Sequence, residues 1–236
     1  MTVVFSATDD NGLNKAMFLG TNAATLEKFG LRMPWKIVTD GEVWRLVLPL
    51  FVNHGFLTMA INTVVQLILG FILEKALGVY RMATFYLAVG ISANVIGAWG
   101  TSWYATGPEP AIYGELGGLI GAYIFYWNNI LCSCCQKILG FFGLLVLTAF
   151  AVFVMVASTE SMRGYSQALR IALPDTWGCI GGFICGFFLV WAFLPPVASQ
   201  PFSKRQLREK VLLLVGLMVY LAVIVACLVS LFTGKR

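Results

Sequence analysis

The sequence predicts an all-α fold: a polytopic membrane helix bundle of about six transmembrane helices. Three observations carry this reading. Of 236 residues, 59% are hydrophobic and only 11% charged, against about 25% charged in a soluble domain. The mean hydropathy is +0.82. The apolar residues also fall into separate stretches, each near the roughly 20 residues that cross a hydrocarbon core as a helix. A water-soluble globule, a disordered chain and a lone membrane anchor are thereby excluded.

Residues 1–45 are mixed and polar, with Asp9-Asp10, Asn11-Gly12 and short apolar pieces at Val3 to Phe5 and Ala16 to Leu19. These pieces are too short for a signal peptide and lack a basic flank, so the segment is read as an extracytosolic N-terminal segment and loop. Six spans are predicted near 47–73, 80–103, 112–131, 138–158, 176–194 and 211–232. Residues 46–194 form the membrane domain, and 195–236 a cytosolic connection followed by an extra C-terminal transmembrane helix. The connections are short, as a compact bundle requires.

Basic residues set the orientation. The first, third and fifth connections hold Lys75, Arg81, Lys137, Lys204, Arg205, Arg208 and Lys210, whereas the second and fourth hold only Arg163 and Arg170. The odd connections are therefore expected in the cytosol and both termini outside it, although five basic residues in the N-terminal segment count against this. The net charge of +5 reads as orientation signalling, so no nucleic-acid partner is expected.

Six cysteines, Cys132, Cys134, Cys135, Cys179, Cys185 and Cys227, lie mostly in or beside apolar segments, which argues against a disulfide scaffold. Cys132-Ser133-Cys134-Cys135 has no His or acid beside it, so no metal or other cofactor is expected. The run reads first as apolar filler and second as a site of reversible acylation.

Polar groups inside spans are costly in hydrocarbon and belong in the protein interior. They are His54, Asn62, Gln66, Asn94, Glu115, Asn128 and Asn129. A transporter or pump would show a relay of buried acids and bases or an inverted repeat, and neither is visible. Glycines are more telling. Gly117 and Gly121 in the third span, and Gly178, Gly182 and Gly186 in the fifth, are spaced four apart. That spacing lines one face of each helix and predicts close packing of the two.

Several motifs occur in a fixed order: Thr25 to Gly30, Gly41-Glu42-Val43-Trp44-Arg45-Leu46, Pro49-Leu50-Phe51, Asn53 to Asn62, Gln66-Leu67, Gly70, Leu73-Glu74, Gly78, Tyr86-Leu87, Gly90-Ile91 and Asn94. Together they resemble the rhomboid family of intramembrane serine proteases and rhomboid-like proteins over about residues 25–190. Trp44-Arg45 looks like the family's Trp-Arg pair in its first extracytosolic loop. Gly114, Gly117, Gly121, Gly181 and Gly182 match its structural glycines.

The resemblance assigns the catalytic positions residue by residue. The family's Gly-x-Ser-Gly reads Gly114-Glu115-Leu116-Gly117 here, so Leu116 holds the nucleophile position. The His expected before Gly181-Gly182 corresponds to Cys179. On the oxyanion side Thr58 replaces a His and Asn62 is kept, while His54 is offset by one from the upstream His, whose place Asn53 holds. A serine protease needs a nucleophile with a base in hydrogen-bond reach. Leu has no lone pair to attack with.

The resemblance therefore implies a pseudoprotease that binds transmembrane segments of client proteins and affects their trafficking or turnover. Asn62, Glu115 and His54 are the expected client contacts, with Glu115 equally readable as packing or a snorkelling residue. The alternative is an active rhomboid protease or a Cys-His variant built on Cys179 and His54; the apolar surroundings of Cys179 argue against it. Residues 1–24 are too polar and short for the family's first helix, so the chain is expected to start at the family's second, and the last span matches the extra helix of larger eukaryotic rhomboids. The expected location is the secretory pathway or plasma membrane, as a multi-pass protein of open oligomeric state.

Overall fold

Apolar stretches separated by glycine and proline fold here into long helices in a computed structural model, which describes residues 23–53, 55–126, 134–161, 175–194 and 207–234. Two short helices come first, α1 (Ala23–Lys28) and α2 (Pro34–Thr39). Six long ones follow: α3 (Phe56–Leu77), α4 (Val79–Gly100), α5 (Glu109–Tyr126), α6 (Cys134–Ser161), α7 (Thr176–Phe193) and α8 (Leu207–Thr233). Each occupies one predicted span.

The start of the first span is corrected. Residues 47–53 and Gly55 are not part of α3; Val43–Leu46 and Leu48–Phe51 are 3-10 turns, and the chain is extended at Val52. Pro49 removes a backbone donor and resists a regular helix. The apolar side chains that raised the hydropathy there, Leu50 and Val52, are buried in a cap over the bundle rather than in a span. Gly78, at φ +84°, lets the chain reverse from α3 into α4 through one residue.

By length and composition, Thr58–Leu77, Val79–Gly100, Thr176–Phe193 and Glu209–Thr233 are able to cross a membrane, and Lys137–Phe150 is a shorter apolar stretch. α5 differs because it is surrounded by protein. Most of its residues are buried, including Glu109 and Glu115, so it need not be apolar throughout to sit at membrane depth. The main core joins Leu69 and Leu73 of α3, Phe85 and Val89 of α4, Leu116 and Leu119 of α5, and Leu189 and Val190 of α7. Outward faces carry Leu67, Phe71, Leu139, Phe153 and Met218, all exposed, as lipid-facing surfaces require.

Glycine sets the closest contact. A Cβ at Gly117 would lie 2.9 Å from the Phe183 carbonyl carbon, one at Gly121 would lie 2.5 Å from the Phe187 oxygen, and one at Gly182 would lie 3.0 Å from the Pro110 carbonyl carbon. α5 and α7 therefore touch backbone to backbone. Trp191 adds a hydrogen bond from its indole nitrogen to the Gly121 carbonyl at 2.9 Å. α8 packs outside, with Tyr220 against Ser92 at 2.7 Å and Trp99 donating to Ser230 at 2.9 Å.

Candidate functional site

The α5–α7 seam brings Leu116 and Cys179 to one cavity of about 320 Å³, walled also by Tyr113, Thr148, Val152 and Phe183. Leu116 sits one residue before Gly117, in the first half of α5, and Cys179 in the first turn of α7, where its amide donates to Asp175 at 2.8 Å. The heteroatoms around the cavity are hydroxyls and one thiol. No imidazole or carboxylate among its lining residues is placed to take a proton from a nucleophile. His54 and Cys132 lie outside the described residues; Cys134 and Cys135 open α6, but their side chains are likewise outside the description.

The cap fastens to the bundle through polar groups. Asn62, one turn after buried Thr58 on α3, donates both amide hydrogens within the protein: to Asn53 at 3.0 Å and to Glu109 at 2.9 Å. Glu109 was not singled out from the sequence. Its signal was an acid in the first turn of a helix opened by proline, where the helix dipole favours negative charge.

Arg45 of the Trp-Arg pair is buried, ion-paired with Glu42, and donates to the carbonyls of Glu27 at 3.0 Å and Leu31 at 2.9 Å. It ties α1 to the following turn. Trp44, by contrast, is half exposed.

A second ion pair also escaped the sequence reading. Arg32 is fully buried, pairs with Asp175 at the start of α7, and donates to Asn94 at 3.3 Å. Asn94 in turn donates to the Leu46 carbonyl at 2.9 Å. The guanidinium rests on Gly97, where a Cβ would come within 2.7 Å of its central carbon. The available signal was Asp175 itself, the lone acid between Glu160 and Glu209, placed just before an apolar helix.

Glu115 of α5 lines a different cavity from Cys179. It is buried, its Oε2 has no hydrogen-bond partner among the described residues, and it lines a second cavity of about 420 Å³ between α3 and α4.

These features define a polytopic helical membrane protein with a glycine-packed central helix, a polar cap and an apolar chamber at the helix seam. The family model "Rhomboid domain" matches residues 40–196, about two thirds of the chain, and the chain belongs to the rhomboid family. It is 30% identical to Rhomboid protease GluP of Bacillus subtilis (strain 168), over 85% of this chain and 36% of that protein. It is 24% identical to RHOMBOID-like protein 5 of Arabidopsis thaliana, over 77% and 54% respectively. To RHOMBOID-like protein 6, mitochondrial, of the same plant it is 25% identical over 95% and 72%. The chain thus spans about half of the second of these relatives and about a third of the first.

Proposed function

We propose that this chain is a rhomboid pseudoprotease that binds transmembrane segments of client proteins and affects their trafficking or turnover. One observation carries the reading. The positions that match the family's nucleophile and base, Leu116 and Cys179, meet in a single chamber whose walls, among the described residues, offer no acid–base pair. In this reading the loss of chemistry is joint, at two residues that line one cavity from separate helices.

The chamber's surroundings favour binding. Thr148 and Val152 line both this chamber and a larger apolar groove of about 940 Å³ between α5 and α6, walled by Ile124, Phe141, Leu145 and Phe153. Those α6 residues are exposed on the bundle's outer face. A transmembrane helix resting there buries apolar surface by shape and dispersion rather than by leaving water. In this reading residues 1–45 lie outside the cytosol and 195–236 contribute the cytosolic connection and the last helix.

A photocrosslinking residue in place of Val152, introduced into the full chain in native membranes, tests this. Capture of transmembrane proteins above a scrambled-position control is expected. Capture at control level contradicts it.

A further inference from the structure

The geometry points to a second lateral site: the α3–α4 chamber takes a basic side chain, lysine or arginine, presented at mid-depth by a partner's transmembrane helix. This goes beyond the α5–α6 groove and rests on the client-binding reading only in that the occupant arrives as a helix within the bilayer.

The chamber is lined by Gln66, Gly70 and Glu74 of α3, Met82 and Tyr86 of α4, and Glu115 of α5. Glu115 is 1% exposed and aims outward at α3: a Cβ at Gly70 would sit 3.7 Å from its Oε1 and 3.9 Å from its Oε2. Gly70 faces this carboxyl: a methyl group there would reach ordinary van der Waals contact with it, and a larger side chain would fill the chamber. An unpartnered acid at this depth is costly, and two acids, an amide and a phenol around one apolar cavity complement a cation. Among the described residues, no basic side chain lines it. The nearest bases in sequence are turned elsewhere: Lys75 lies 4.4 Å over the Phe71 ring, and Arg81 donates to the Phe193 carbonyl at 3.4 Å.

Depth selects the occupant. Gly70 is well inside the 22-residue α3, about 10 Å from its nearer end at 1.5 Å per residue. A lipid amine stays at the headgroup level of a core about 30 Å thick, whereas a side chain on a spanning helix reaches Glu115 directly. The outer rim, Leu67, Phe71 and Val79, is exposed and apolar, suited to the flanking surface of such a helix.

The test uses the purified full chain in phosphatidylcholine vesicles with a photocrosslinking residue in place of either Ala83, on the chamber's rim, or Val152, in the α5–α6 groove. The probes are polyleucine transmembrane peptides with one central lysine, glutamate or leucine. At Ala83 the lysine peptide is expected to crosslink about threefold to tenfold more than the leucine peptide, with the glutamate peptide at or below the leucine level. Glu115→Gln removes the preference, as does Gly70→Leu, which fills the chamber without altering the carboxyl; capture at Val152 stays unchanged in both. No lysine preference at Ala83, a preference surviving both variants, or crosslinking to phospholipid alone overturns the inference. Capture at Val152 without a lysine preference at Ala83 sinks this site and leaves the groove standing; the reverse pattern sinks the groove and leaves this site.

Discussion

Gly186 of α7 lies directly on Gly114 of α5: a Cβ at Gly186 would fall 2.7 Å from the Gly114 carbonyl carbon and 2.9 Å from its Cα. Both partners are backbone, so neither side can rotate away as a side chain would. The separation of the chamber's two walls, and with it the distance between positions 116 and 179, is set by these glycines.

Gly186→Val is therefore expected to destabilise the bundle by about 1–3 kcal/mol or more, the cost of overpacking a close interface. Gly143→Ala is the control, because nothing lies within 4 Å of a Cβ there. Denaturant titration of the detergent-solubilised protein should separate the two; equal stability of both variants contradicts the packing account.

The Arg32–Asp175 pair fastens the cap to the first turn of α7 from 143 residues away in sequence. Removing either partner leaves a buried charge alone, so Arg32→Met and Asp175→Asn are each expected to cost about 3–5 kcal/mol. Arg32→Met/Asp175→Asn should cost clearly less than the sum of those two single changes. Additive losses in that cycle would show that the pair is not coupled.

Asn62 holds Asn53 of the cap and Glu109 of α5 together. Asn62→Leu leaves both acceptors buried without their donor and is expected to cost about 1–3 kcal/mol. Limited proteolysis should then cut the cap segment faster in the variant; an unchanged digestion pattern contradicts this role.

Leu116 and Cys179 share one chamber, so building a nucleophile–base pair there takes a change at both positions. Leu116→Ser/Cys179→His is expected to gain labelling by a fluorophosphonate probe, while Leu116→Ser alone stays at background for want of a base. Labelling of the single variant at the level of the double would refute the pairing of the two positions.

How far the sequence announced this arrangement depends on which forces act locally. The six long helices were legible because hydropathy is a property of contiguous residues, and the α5–α7 seam because glycines four apart mark one helix face. The false start at residue 47 arose where apolar residues serve a cap; composition does not distinguish Leu50 buried under a 3-10 turn from Leu69 buried in a span. Arg32 and Asp175 were missed because an ion pair across the whole domain leaves no periodic trace. Glu109 was hidden in a proline-flanked connection. The meeting of positions 116 and 179 came from resemblance and not from spacing, since residues that far apart become neighbours only through the fold.

Cleavage of a generic rhomboid substrate by the purified full chain in liposomes, beside an active rhomboid protease as positive control, tests the central claim most directly. The account expects no product from this chain under conditions in which the control cleaves to completion. Product formation that disappears with Cys179→Ala or His54→Ala would contradict it and establish an altered catalytic pair.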